Sequence, residues 1–172
     1  MAAIDDEVLR LLRSGDDAAW ATFYDSIAAD LTSYVRRVGA ASPDDVVGET
    51  MVQVVRSLPT FRGSPSELRP WTFRIARNRV IDAGRRRTRR PIETSLADAP
   101  EPGSDGPEAS LEGDLATMLA GLTTDQRDAV WLRYVAGLSL DEAAIVMDKA
   151  PEAVAALTHR ALRRLRAGFS GK

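Results

Sequence analysis

Residues 122–166 read LTTDQRDAVWLRYVAGLSLDEAAIVMDKAPEAVAALTHRALRRLR, and this stretch decides the fold of the C-terminal part of the chain. Capping boxes of the form T-x-x-Q and S-x-x-E open two predicted helices, over 123–136 and 140–147, and Gly137 ends the first of them. A three-residue turn follows, and Pro151 begins a third helix. Two helices joined by so short a turn, the second rich in arginine, are typical of a helix-turn-helix.

The N-terminal part shows the same helical periodicity. Its apolar residues recur at steps of three and four, and neither part of the chain has the alternation or β-branched runs of strands. Four helices are predicted, over 5–13, 17–37, 43–58 and 70–87. The fold class is therefore predicted to be all-α.

The third and fourth helices have faces that bear on function. The third is expected to bury Val46, Val47, Met51, Val54, Val55 and Leu58. It leaves a polar set exposed, which consists of Asp45, Glu49, Gln53 and Arg56. The fourth is expected to turn Trp71, Phe73, Ile75 and Val80 inward. Trp71 and Phe73 also stand beside the polar loop 61–70, where aromatic rings can stack on unpaired bases, and at least one of the two is expected to be a core residue.

A segment of different composition separates the two parts. IETSLADAPEPGSDGPEASLEGD (92–114) is rich in Pro, Gly, Ser and acidic residues and has no apolar periodicity, which predicts an extended linker. The predicted organisation is a helical domain over 1–91, an acidic linker over 92–114 and a second helical domain over 115–172.

The net charge of −2 results from the cancellation of strongly charged blocks, in a chain with 23 basic and 25 acidic residues. Residues 1–60 carry a net charge of −5, 61–91 carry +8, 92–125 carry −8 and 126–172 carry +3. Opposed blocks indicate separate surfaces for separate partners. The +8 block contains ten arginines, and arginine favours bidentate contacts with phosphate.

Composition excludes several classes of function. The chain has no Cys and one His, so a disulfide scaffold, a zinc thiolate site and a Cys nucleophile are excluded. No apolar run approaches the ~20 residues of a membrane span, and the start MAAIDDEVLRLL is too acidic for a signal peptide, so a cytoplasmic protein without membrane insertion is expected. No phosphate loop, Ser-centred elbow or His/Asp pair is present, so we expect no catalytic residue and no cofactor.

Four segments, taken in order, resemble a single family. They are SGDDAAWATFYDSI (14–27), PDDVVGETMVQVVRSLPTF (43–61), RPWTFRIARNRVIDAGRRRTRR (69–90) and the helix-turn-helix stretch quoted above. The chain is similar, nearly end to end, to the extracytoplasmic-function (ECF) sigma factors of bacterial RNA polymerase. The resemblance implies a sigma region 2 before the linker, a sigma region 4 after it, promoter-specific initiation and no catalytic activity.

The resemblance also implies roles for particular residues. Those that would face the clamp helices of core RNA polymerase are Asp45, Glu49, Gln53 and Arg56. Those that would capture a flipped base of the melted −10 element or hold its phosphates are Phe61, Arg62, Ser64, Trp71, Arg74, Arg77, Asn78, Arg85, Arg86 and Arg87. Those that would contact −35 DNA are Ser139, Lys149, His159, Arg160, Arg163 and Arg164. The implied partners are core RNA polymerase, promoter DNA and an anti-sigma factor.

Two departures from the family pattern bear on these roles. Gly48 stands where the family usually has Gln, which costs about 1 kcal/mol of helix propensity and predicts reduced affinity for core polymerase. Ala155 and Ala156 stand where the family often has Lys and Arg. They leave few donors for base edges, although Ala can contact a thymine methyl group.

Two other functions are compatible with the residues alone. A helix-turn-helix regulator that binds DNA without polymerase would explain the C-terminal part, but it would give no task to the exposed face of the third helix. A metal-dependent nuclease would use the neighbouring carboxylates Asp44, Asp45 and Glu49, which could otherwise form a solvated or partner-binding face.

Overall fold

The computed structural model describes residues 4–89 and 121–170, which form seven α-helices and two short 3₁₀ turns. The helices are α1 (Asp6–Ser14), α2 (Asp17–Val38), α3 (Pro43–Ser57), α4 (Leu68–Arg89), α5 (Thr124–Tyr134), α6 (Leu140–Met147) and α7 (Pro151–Ser170). The 3₁₀ turns, Leu58–Thr60 and Pro65–Glu67, lie between α3 and α4. These ranges contain no strand, which confirms the all-α prediction, and the predicted linker lies outside them.

Local capping determines where α1 and α2 begin and end. Asp5 and Asp16 each accept a hydrogen bond from a first-turn backbone N–H, both at 2.8 Å. Gly15 and Gly39 end the helices with φ of 81° and 97°, a conformation that carries no Cβ penalty in glycine.

α3 differs from its predicted form in two details. Ser42 is the N-cap residue but makes no side-chain capping bond, so Pro43 at the first position and the acidic first turn favour the helix start instead. Val55, predicted to face inward, is 49% exposed. The helix packs through the face that contains Val47 and Val54, both of which are buried. Val55 lies about 100° further round the helix than Val54 and therefore points away from that face.

α4 begins at Leu68, two residues before its predicted start. Pro70 falls in the first turn, where a backbone N–H has no partner within the helix, so its ring costs nothing there. Phe73 is completely buried, whereas Trp71 is only half-buried. The two aromatic residues at the start of this helix therefore have different environments, and Phe73 is the core residue.

The three C-terminal helices follow the predicted pattern closely. Both capping boxes form, with Thr123 and Ser139 as the N-cap residues. α5 ends at Tyr134, two residues earlier than predicted, because the next two N–H groups both donate to the carbonyl of Trp131. Gly137, with φ of 67°, then turns the chain toward α6.

Both halves of the molecule contribute to one core. Tyr34 of α2 lies between Phe73 of α4 and Trp131 of α5, with ring centroids 5.6 and 5.0 Å apart. α6 also packs along α4. The C-terminal half therefore covers part of the surface of the N-terminal half.

Candidate nucleic-acid interface and the exposed face of α3

The outer face of α3 combines charged and apolar groups. Asp45, Glu49 and Arg56 are exposed along it, and Val52 and Val55 are each 49% exposed beside them. Protein interfaces commonly have an apolar centre with a polar rim, and this face has both parts on one rigid helix.

Two residues of this face have local contacts that limit their roles. Gln53 is half-buried, and its amide donates to the Ser57 hydroxyl at 2.7 Å. Glu49 is paired with Arg79 of α4 at 2.6 Å, an exposed pair that stabilises little.

Gly48 is exposed, and a Cβ atom there would meet nothing within 4 Å. Packing therefore does not require glycine at this position.

Asp44, Asp45 and Glu49 are not placed together as three ligands of one metal ion. In residues 4–89 and 121–170 no group of three or more His, Asp or Glu side chains is placed to hold a metal ion. All three carboxylates are exposed on the outer face of the helix.

An open pocket of about 400 Å³ lies between the loop that follows α3 and the first turns of α4. Its lining consists of Thr60, Phe61, Arg62, Gly63, Glu67, Trp71, Arg74 and Ile145. The buried ring of Phe61 packs against Trp71, with centroids 4.8 Å apart. Trp71 is only half-buried, so its exposed part, beside Arg62 and Arg74, is a surface on which an unpaired base can stack.

The loop around this pocket is held in place by its own contacts. A Cβ atom on Gly63 would lie 2.5 Å from the Phe61 ring, so the close approach requires glycine. The backbone N–H of Ser64 donates to Glu67 at 2.6 Å, and the guanidinium of Arg13 donates to the Phe61 carbonyl at 2.9 Å. Ser64, one of the predicted −10 contacts, is exposed, and its hydroxyl also donates to Glu67 at 3.0 Å.

The remaining predicted contacts on α4 lie away from this pocket. Asn78 and Arg86 line a separate groove between α3 and α4. Arg85 is exposed, with Asp82 as a distant partner at 3.8 Å. The side chain of Arg87 lies outside the part of the chain that the structure describes.

Arg77, predicted to hold phosphate, faces the C-terminal half instead. It is 9% exposed, and its guanidinium donates to Asp128 at 2.8 Å and to Asp125 at 3.1 Å. In this arrangement of the two halves, Arg77 is not available to a phosphate.

Burial and ion pairing oppose each other around Arg77. Burial lowers the pKa of Arg77, but the hydrogen bond and charge of Asp128 outweigh it and raise that pKa overall. Burial raises the pKa of the Asp128 carboxyl above its ordinary value, although Arg77 opposes that shift. Burial also raises the pKa of the neighbouring Tyr34 hydroxyl well above its usual range. A buried ion pair of this kind depends on both partners, because removal of one leaves an uncompensated charge that costs about 3–5 kcal/mol.

The predicted −35 contacts form two groups in the structure. His159, Arg160, Arg163 and Arg164 are exposed on α7. Ser139 is used as a helix cap, and Lys149 is half-buried and paired with Asp125 at 3.1 Å. Ala155 and Ala156 are exposed near the start of α7, so this part of the helix presents methyl groups and no donors.

Three acidic residues that hold basic residues at the contact between the halves, Asp30, Asp125 and Asp128, were not assigned a role from the sequence. Arg69 donates to Asp30 at 2.8 Å and to the carbonyl of Ala136 at 3.1 Å. Asp125 and Asp128 are three residues apart on α5, so both lie on one face of the helix. This spacing can be recognised in the sequence. Their partner in the N-terminal half, Arg77, lies 48 and 51 residues earlier and follows no local pattern.

Comparison with known proteins identifies the class of both halves. Residues 23–90 match the family Sigma-70 region 2, and residues 112–165 match the family Sigma-70, region 4. Each half of the molecule thus matches one region of the sigma-70 proteins.

The similarity to individual proteins narrows this class. The chain is 35% identical over 133 residues to the ECF RNA polymerase sigma factor ShbA of Streptomyces griseus, which covers 72% of this chain and 70% of that protein. It is 34% identical over 162 residues to the ECF RNA polymerase sigma factor SigC of Mycobacterium tuberculosis, with 84% and 82% covered. The chain belongs to the ECF sigma factors of the sigma-70 family, which are transcription initiation factors.

Solved structures agree with this assignment. CnrH in complex with the cytosolic domain of CnrY has a TM-score of 0.73 and 26% identity, with 98% of this chain and 99% of that chain covered. The sigma factor RpoE in complex with the anti-sigma factor NepR from Bartonella quintana shows the same fold, with a TM-score of 0.63 and 23% identity. The RpoE match covers 87% of this chain and 97% of that chain.

None of the helices in the described ranges is both long and apolar enough to cross a membrane.

Proposed function

We propose that the outer face of α3 binds core RNA polymerase and that the chain directs initiation at one class of promoter. The pocket between the loop and α4 takes an unpaired base of the −10 element, and α7 docks on the −35 element. The observation that carries this proposal is the pocket. Trp71, supported from behind by the buried ring of Phe61, stands beside Arg62 and Arg74 at the start of an arginine-rich helix.

The pocket suits a base that has left its stack. Extrusion costs a few kcal/mol, which stacking and hydrogen bonds in a preformed site can offset. The contacts of Gly63, Ser64 and Arg13 hold the loop in this form without a ligand, so less ordering is needed on binding.

α7 supplies the duplex contact. Arg160, Arg163 and Arg164 are exposed on one helix that follows a tight turn, the geometry of a recognition helix. Because Ala155 and Ala156 carry no donors, phosphate contacts contribute most of this binding, with methyl contacts to thymine as the base readout.

Two further features belong to the proposal. RpoE, which shares the fold of this chain, is bound to the anti-sigma factor NepR, and this supports an anti-sigma factor as a partner of this chain. Binding to polymerase and promoter DNA also places the protein in the cytoplasm.

Gel filtration of the protein mixed with core polymerase tests the proposal. We expect co-elution, followed by transcription in vitro from promoters identified by mapping transcript starts after overexpression. Failure to co-elute, together with tight binding of the protein alone to duplex DNA, would favour the helix-turn-helix regulator instead.

A further inference from the structure

One acidic side chain lies in the basic and aromatic lining of the base pocket. Glu67 lines the pocket together with Trp71, Arg62 and Arg74. It is half-buried, and among the residues that the structure describes it is the one carboxylate of this lining. A carboxylate repels the phosphates that the two arginines attract, so in a pocket for nucleic acid it is suited to contact the base instead.

The two oxygens of the Glu67 carboxylate differ in their contacts. Oε2 accepts hydrogen bonds from the backbone N–H of Ser64 at 2.6 Å and from the Ser64 hydroxyl at 3.0 Å. Within residues 4–89 and 121–170, Oε1 accepts no hydrogen bond. The loop therefore fixes the carboxylate in position, and one oxygen remains free to accept a hydrogen bond from a ligand.

The four bases differ in what they offer to such an acceptor. Cytosine and adenine carry an exocyclic amino group, which is a donor, where thymine and guanine carry a carbonyl oxygen. The adjacent ring nitrogen is an acceptor in cytosine and adenine but carries a hydrogen in thymine and guanine. Glu67 can thus accept from the amino group while Arg62 or Arg74 donates to the ring nitrogen. Thymine or guanine would instead place a carbonyl oxygen against the carboxylate.

We propose that Glu67 determines which base the pocket accepts, and that this base is cytosine or adenine, whose amino group replaces the carbonyl of thymine or guanine. The inference rests on the proposed function, since it assumes that an unpaired base of the −10 element enters the pocket. Glu67 then has two roles, because the same carboxylate holds the loop through Oε2 and reads the base through Oε1.

The variant Glu67→Gln separates these two roles. Glutamine also forms capping boxes, so its carbonyl oxygen is expected to take the place of Oε2 at the Ser64 N–H. Its NH₂ group then stands where Oε1 was, and an acceptor becomes a donor. Glu142→Gln is the matched control, because Glu142 accepts from the Ser139 N–H at the same 2.6 Å in another capping box and does not line the pocket. Thermal unfolding checks that both variants stay folded.

Binding of single-stranded oligonucleotides to the holoenzyme tests the inference. Each oligonucleotide carries the non-template −10 sequence of a mapped promoter, with one position at a time changed to each of the four bases. At the position that enters the pocket, the parent should favour cytosine over thymine and adenine over guanine at least about tenfold, because the unfavoured base loses a hydrogen bond to a charged group. Glu67→Gln should abolish or reverse both preferences, and Glu142→Gln should keep them.

Several outcomes would overturn the role of Glu67. These are a preference that Glu67→Gln leaves unchanged, or a parent that favours thymine or guanine at every selective position. An equal loss of affinity for all four bases in Glu67→Gln would show that Glu67 has a structural role only. Each of these results leaves base capture by the pocket intact. A parent holoenzyme without any base preference in the −10 sequence would instead contradict the proposed function itself.

Discussion

α3 and α4 belong to the same half of the molecule, yet they present their surfaces in different ways. α3 leaves Glu49, Val52 and Val55 open to solvent. α4 has Arg69 and Arg77 only 6% and 9% exposed, both bonded to the C-terminal half. Under the proposed function, the polymerase-binding surface is available in the free protein while part of the DNA-binding surface is covered.

The same contrast exists within α4. Arg77 is buried against Asp128, whereas Arg85, two turns further along, has a side chain that is 70% exposed. The exposed end can contact phosphate at once, but the covered end cannot. This difference predicts weak binding to free DNA and tighter binding after the halves separate.

The largest effect is expected on the covered side of α4. Phe73→Ala should lower the free energy of unfolding by about 3–5 kcal/mol, because Phe73 is completely buried against Tyr34. Trp71→Ala should cost much less stability, since Trp71 is half-buried, but it should impair promoter opening more than duplex binding. Thermal unfolding measures the first effect, and a fluorescent base analogue in the −10 element measures the second.

The two variants serve as controls for each other. An equal loss of stability in both would assign Trp71 to the core and remove it from the base pocket. Normal promoter opening by Trp71→Ala would contradict its proposed role.

The next effect tests the open side. Val52→Asp combined with Val55→Asp should weaken binding to core polymerase at least about 30-fold, or about 2 kcal/mol, because a charge is placed at the apolar centre of the interface. Both positions are half-exposed, so the unfolding temperature should stay close to that of the parent. Tyr24→Asp makes a similar change on α2 and should leave polymerase binding intact.

Much of the fold follows from local sequence signals. The two capping boxes, Gly15, Gly39 and Pro151 mark helix ends that the structure places within a residue or two of the prediction. Each of these signals acts over one helical turn, so it can be identified in a single sequence. Val55 was assigned to the wrong side because an apolar residue at the edge of a stripe is assigned correctly only when the packing partner is known.

The candidate site could be predicted only in part. The loop and the aromatic residues that form the pocket are close in the sequence, so Phe61, Trp71 and Arg74 were found together. The burial of Arg77 could not be predicted, because it depends on how the second half packs on the first. That packing involves residues 48 and 51 positions apart.

A smaller effect tests the exposed end of α4. Replacement of Arg85, Arg86 and Arg87 by Ala should make the salt dependence of holoenzyme binding to promoter DNA shallower by about 3, if each arginine contacts one phosphate. Arg127→Ala removes an exposed arginine of α5 outside the proposed contacts and should leave the slope unchanged. Titrations at several salt concentrations give the slope, and an unchanged value for the triple variant would argue against phosphate contacts at this end.

The smallest effect is expected for a substitution of Gly48 on α3. Gly48→Ala should raise the free energy of unfolding by about 1 kcal/mol, because alanine restricts the unfolded chain and favours the helix. The new Cβ atom meets nothing within 4 Å. Gly39→Ala makes the same chemical change at φ of 97° and should destabilise the protein instead.

Gly48→Gln should add polymerase affinity to the gain in stability, since it restores the family's polar group on the open face. If Gly48→Gln stabilises the protein without tighter polymerase binding, the face at this position does not contact polymerase.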